Sequence, residues 1–209
     1  MQTSHARWLL PAGVALACLA ACAGPAPALS DGKQAAEHRV LAPAVRTAVE
    51  YTALQVIETT PGPFANRIYV SAGRERQDAS LGGGVVTTII RHDKGVAWLL
   101  IPAKQTYEEI ALVDAAQASV QARFAGLQAR EIRRERAGGL PVTWLAFFDD
   151  SGQQLADAWF TDDGIAVKAD FFADPRSGKP RAVISLQQLQ VGPVDPALFE
   201  LPDGYTRAP

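Results

Sequence analysis

Few residues in this chain have the type and spacing for chemistry, and most of them read as structure. Glu108-Glu109 and Asp149-Asp150 are adjacent carboxylates, the residue type that divides acid and base roles in hydrolytic sites. Both pairs lie in or at the end of strand-like stretches, where neighbours point to opposite faces, so adjacency alone cannot make them work jointly. Asp162-Asp163 precedes Gly164, a turn setting in which solvated aspartates are ordinary. Gly82-Gly83-Gly84 is followed by no helix with a basic partner, so it reads as a turn rather than a phosphate cradle. No Gly-x-Ser-x-Gly, His-Glu-x-x-His or Walker sequence is present. The pattern therefore argues against an enzyme. The reactive side chains that remain are two thiols, Cys18 and Cys22.

Cys22 ends an N-terminal stretch in which Arg7 precedes an apolar run over 8–19, the layout of a secretory signal. The run is short of the ~20 residues a membrane span needs and is soon followed by Gly24-Pro25. Leu19-Ala20-Ala21-Cys22 resembles the lipobox of bacterial lipoproteins. That likeness implies cleavage after Ala21 and acylation of Cys22 as the first mature residue. Two alternatives stay open: an ordinary signal peptide with an incidental cysteine, and attachment at Cys18, which has Ala15 where a large aliphatic residue is expected. Ala23 after the cysteine carries, by the lipoprotein pattern, no inner-membrane retention signal, which points to the outer membrane.

The organisation expected is a lipoprotein signal peptide over 1–21, a tether over 22–37 and one domain over 38–209. The tether is small-residued and Pro/Gly-bearing, with almost no large apolar side chain. The chain of 209 residues carries 20 basic and 22 acidic residues, a formal net charge of −2 that becomes one unit more negative when Arg7 is removed. That balance gives no support to nucleic-acid binding. Cys22 is the one cysteine left after cleavage, so the domain has no internal disulfide. With no thiol to spare and His38 and His92 as the remaining imidazoles, neither a zinc site nor a cofactor is expected.

From residue 51 onward, β-rich segments alternate with turn signals. Strands are expected over 51–60, 64–71, 74–80, 85–91, 96–101, 106–112, 130–136, 141–149, 155–161, 165–173 and 181–191. Ala72-Gly73, His92-Asp93-Lys94-Gly95, Ser151-Gly152, Asp163-Gly164 and Ser177-Gly178 supply turns. One helix is expected over 114–125, with Asp114 as N-cap and Val113, Ala116, Val120, Phe124 and Leu127 at steps of three and four. Residues 40–46 read as a short helical or irregular lead-in. The fold class is mainly β: a curved antiparallel sheet of about ten strands, since so large a sheet rarely stays flat.

Two strands are apolar on both faces. Val96-Ala97-Trp98-Leu99-Leu100-Ile101 has no polar side at all, and in Trp144-Leu145-Ala146-Phe147-Phe148 large side chains point both ways. Such a sheet needs a cover on each side or leaves an apolar patch with a use. Two readings follow. In one, a concavity lined by Trp98, Leu100, Trp144, Phe147, Trp159 and Phe171 holds a hydrophobic ligand. In the other, these side chains close a core. Arg130, Arg133, Arg134 and Arg136, interleaved with Glu131 and Glu135, make a basic strand suited to a solvated edge or to anionic lipid head groups.

Three stretches in order resemble the LolA/LolB-like (lipoprotein-localisation factor) superfamily of bacterial envelope proteins. They are Ala97-Trp98-Leu99-Leu100-Ile101-Pro102 with Lys104-Gln105-Thr106-Tyr107; Trp159 with Asp163-Gly164-Ile165-Ala166-Val167-Lys168; and Leu198-Phe199-Glu200-Leu201-Pro202-Asp203-Gly204-Tyr205. Ala166 stands where that pattern has proline. The resemblance implies a half-barrel whose concave side is covered by one or two helices and takes acyl chains or other lipids. It maps no residue-level site. The leading expectation is thus a lipid-anchored periplasmic module holding a lipid or acyl chain, and the alternative is a sensor or scaffold docking an envelope protein through a closed-cored domain.

Overall fold

The computed structural model describes residues 40–41, 49–81, 84–116 and 119–208. The expected signal over 1–21, Cys22 and the expected tether lie outside the described residues. Alternation of β-branched and aromatic residues builds a continuous series of strands: β1 (Val40–Leu41), β2 (Tyr51–Thr59), β3 (Gly62–Ser71), β4 (Arg74–Leu81), β5 (Gly84–Arg91), β6 (Val96–Ile101) and β7 (Thr106–Ile110). After a connection come β8 (Gln128–Ala137), β9 (Leu140–Phe148), β10 (Gln154–Phe160), β11 (Ala166–Phe172), β12 (Pro180–Val191) and β13 (Thr206–Arg207). The turn between β3 and β4 shows how locally the register is set. Ala72 and Gly73 both have positive φ, 41° and 81°, the two-residue hairpin geometry that matches strand twist.

All thirteen strands form one open, curved sheet in the order β1-β8-β9-β10-β11-β12-β2-β3-β4-β5-β6-β7-β13. It is two antiparallel meanders, β2–β7 and β8–β12, joined where β12 pairs with β2, Ile184 opposite Ile57. The connection from β7 to β8 must therefore cross from near one end of the sheet to near the other. Ten strand steps make about 48 Å on a flat sheet. Residues 111–127 reach about 48 Å once five of them are coiled into helix. A connection that also packs onto the sheet needs a shorter path, and the concave side of a bent sheet provides it.

That crossing corrects the expected helix. Instead of one helix over 114–125, a five-residue helix α1 (Leu112–Ala116) is followed by a 3-10 turn at Ala122–Phe124. The periodicity of Val120, Phe124 and Leu127 is real, but it serves burial on a strap stretched across the sheet, not a regular helix. Of the expected lead-in over 40–46, Val40–Leu41 is a strand paired with β8, and residues 42–46 lie outside the described residues.

Register divides the sheet into two faces. Directly opposed residues share a face, so Ala97, Ile90, Glu75, Val70 and Tyr51 lie on the side that also carries Ile57, Ile184, Ala169, Ala158 and Leu145. This inner face is the one the crossing segment covers. Ala115 of α1 packs on Ile90 and Ala97, and Phe124 packs on Phe147, Phe160 and Phe171. The outer face of β3–β7 is covered instead by the C-terminal segment 192–205, whose Val194 and Phe199 pack on Ile89 and Leu100.

Candidate functional site

The inner face is apolar at both ends, and in the middle a polar row runs beside Ala53, Ile68 and Val70. At the β9–β11 end, Phe124 is fully buried and stacks on Phe147 with ring centroids 4.3 Å apart, with Phe160 set edge-on at 5.7 Å. Ala156, Ala158 and Ala169 lie beneath, and their small side chains leave room for these three rings and that of Phe171. In the middle, Gln55 of β2, Asn66 of β3 and Glu75 and Gln77 of β4 bring polar groups onto the same face. Asn66 Nδ2 donates to Gln77 Oε1 at 2.8 Å, and Gln77 Nε2 donates to Glu75 Oε1 at 2.7 Å. Between this row and the crossing segment lies a cleft lined by Tyr51, Gln55, Glu75, Ser119, Val120 and Gln121, with room for about one water molecule.

Electrostatics in the cleft follow from burial. Burial pushes the Glu75 carboxyl up, against hydrogen bonds from Ser119 and Gln77. Burial, with the Glu75 charge added, holds the Tyr51 phenol above its ordinary range. Gln55 Oε1, Asn66 Oδ1 and Gln121 Nε2 are buried without a partner among the described residues. The arrangement can orient a small hydrogen-bonding group. No cluster of His, Cys, Asp or Glu suited to a metal ion occurs among the described residues.

On the outer face, the C-terminal segment is fixed by charge. Glu50 accepts from Ser71 Oγ at 2.6 Å and from the Val194 N–H at 2.7 Å. Arg91, 4% exposed, donates to Asp93 at 2.7 and 2.8 Å, to the Phe199 carbonyl at 3.2 Å and to Glu200. Lys94 closes on Glu200 at 2.9 Å, and the Arg74 guanidinium lies over the Phe199 ring. Hydrogen bonds from Arg91 hold Asp93 down at about 2; bonds from Lys94 and then Arg91 lower Glu200.

The outer face of the other meander carries a cross-strand ladder, Arg133–Trp144–Trp159–Lys168, one residue from each of β8 to β11. The two indoles stack at 5.3 Å. Arg133 caps one ring at 4.9 Å and Lys168 caps the other at 4.1 Å. Trp159 Nε1 donates to Glu135 Oε1 at 2.6 Å. Asp157 stands directly opposite Asp170 beside this ladder; burial raises its carboxyl, and the Asp170 charge adds to the effect.

The six residues expected to line a hydrophobic site fall into three pairs. Phe147 and Phe171 are on the inner face with Phe124. Trp98 and Leu100 are on the outer face beneath the C-terminal segment. Trp144 and Trp159 are stacked on the outer face of the second meander. Glu75, Gln55 and Ser119 were not among the expected site residues. The one sign of them was the polar character of 74–80, which alternation alone assigns to solvent.

No protein-family model matches the chain, and no curated protein matches it significantly. Solved structures do. An uncharacterized conserved protein from Thermus thermophilus is 13% identical over 77% of this chain and 90% of its own, with a TM-score of 0.57. A chain of the MucA/MucB complex of Pseudomonas aeruginosa is 17% identical, with a TM-score of 0.51 over 74% of this chain. The match covers 56% of that chain, so the likeness spans little more than half its length. A LolA superfamily protein from Nitrosomonas europaea matches at 6% identity over 74% of this chain and 90% of its own, with a TM-score of 0.36. At these identities the likeness is one of fold: the open curved sheet is shared with the Thermus protein and with the matched part of the Pseudomonas chain.

Proposed function

We propose that this chain is a non-enzymatic docking module of the bacterial envelope, held at the periplasmic face of the outer membrane by acylated Cys22 and binding a protein partner. The observation that carries the reading is Phe124. It fills the aromatic end of the inner face from within the chain, in the position where a hydrophobic ligand would sit. The fold likeness to a chain solved in the MucA/MucB complex supports the same reading. Crosslinking in whole cells followed by affinity capture tests it. One dominant envelope protein is expected, and capture that is no richer than from cells without the protein would sink the reading.

A second reading is favoured by one feature of the same site. The cover over Phe147 and Phe171 comes from the crossing segment and not from the sheet, so a ligand that displaced Phe124 would meet a trough of aromatic rings. On that reading the module holds a lipid or acyl chain in contact with Phe147 and Phe171, while Trp98, Leu100, Trp144 and Trp159, on the opposite face of the sheet, lie outside the trough. A fluorescent fatty-acid probe that binds wild type, and loses binding in a Phe171→Glu variant, would favour it.

A further inference from the structure

We infer that the arginine-rich edge of β8 rests against an anionic lipid surface. Two independent observations meet at this strand. The first is where the chain enters the domain. Val40 and Leu41 pair with Ala129 and Gln128, so β1 lies on the outer side of β8 and its N-terminal end points along β8 toward Arg130. Sequence between Cys22 and Val40 thus joins the domain at this edge, and even fully extended it spans no more than about 60 Å.

The second observation is charge and its display. Among the described residues, β8 pairs on its outer side through Gln128 and Ala129 alone, and residues 130–134 are all exposed. Within 130–136, four arginines stand against Glu131 and Glu135. Register sends Arg130 and Arg133 to the outer face and Arg134 and Arg136 to the inner one, because the bulge at Ile132 shifts the alternation by one. An edge-on approach therefore presents both rows at once. Arg134 is more available than Arg133: its side chain is 77% exposed against 61%, and its ion pair with Glu131 is a loose 3.7 Å. The edge also shows Ile132, 40% exposed, as an apolar tip among the cations. The bulge and the charges discourage addition of another protein strand, which favours a surface over a peptide as the occupant. Guanidinium groups pair with phosphate through two hydrogen bonds at once, the chemistry a phospholipid headgroup layer offers.

Which membrane the edge faces rests on the proposed anchor at Cys22; the binding chemistry does not. The test uses the chain from residue 23 onward, which contains every strand and core cluster and carries no acyl group. Flotation is measured with vesicles of phosphatidylethanolamine and phosphatidylglycerol at 7:3, and with phosphatidylcholine alone. Preferential flotation on the anionic vesicles is expected, falling to the phosphatidylcholine level in high salt. Arg134→Glu with Arg136→Glu should lower it at least about fivefold, the weight of a single charge near such a surface. Arg176→Glu with Lys179→Glu, in the exposed turn before β12, should leave it unchanged. Circular dichroism checks that both variants keep the fold, and Arg134→Gln serves if the double variant does not. Equal flotation on the two vesicle types, or equal loss from the two charge reversals, would overturn the inference. The mass of the mature protein, with or without acyl chains on Cys22, reads the anchor separately.

Discussion

Phe124, on the segment that crosses the sheet, stacks on Phe147 of β9 at 4.3 Å, and both rings are fully buried. The contact joins the long β7–β8 connection to the second meander and closes that end of the inner face.

Phe124→Ala should therefore act as a core deletion, costing about 3–5 kcal/mol of stability in urea unfolding. Had the ring lain loosely over a ligand space, the cost would stay below about 1 kcal/mol, in the range of a surface substitution.

The C-terminal segment should depend on Arg91 more than on its exposed partners. Arg91→Ala removes a buried guanidinium that binds Asp93, Glu200 and the Phe199 carbonyl, and should cost about 2–4 kcal/mol. Glu200→Gln, at a half-exposed position, should cost under about 1 kcal/mol. Limited proteolysis should cut after residue 192 sooner in the Arg91 variant. Equal protection of the two would show that the apolar contacts of Phe199 suffice.

Acid and base limbs of stability have separate origins. Asp93, at about 2, and Glu50, Glu135 and Glu200 are lowered by their partners, so they bind fewer protons folded than unfolded. Their stabilisation is present above about pH 4–5 and is lost as pH falls through their folded values. Glu75 and Asp157 are raised, so they bind more protons when folded, and stability declines as pH rises past the ordinary carboxylate range through their folded values. Glu75→Gln should raise the melting temperature at pH 8 and flatten that decline. A melting curve that falls by the same amount between pH 5 and 8 in wild type and variant would show that Glu75 is not its source.

Cys22→Ser should move the protein from the membrane fraction to the soluble periplasm. Retention of the variant on membranes after a high-salt wash, which strips partners and frees the β8 edge, would remove the anchor from the account.

Much of the sheet was legible because alternation and turn residues are local. Ala72-Gly73 and Asp163-Gly164 mark their turns in sequence, and the strands fall where those turns leave them. Two-residue strands such as Val40–Leu41 and Thr206–Arg207 carry no period and are defined by the neighbour they pair with. The crossing segment misled for a different reason. Steps of three and four at Val120, Phe124 and Leu127 report that one side is buried, which a strap across a sheet requires as much as a helix does. Apolarity on both faces of 96–101 and 144–148 was plain, but a strand pattern cannot say what covers each face. The inner cover is the crossing segment and the outer cover of 96–101 is the chain's own C-terminus, which is why Trp98 and Phe147 never meet.

Native mass spectrometry of the protein released gently from envelopes addresses the central claim most directly. The docking account requires a complex of this chain with one protein partner and, after a high-salt wash that frees the β8 edge, no non-covalent lipid on the domain. A chain that instead carries one lipid or fatty acid per molecule, with no protein bound, would contradict it.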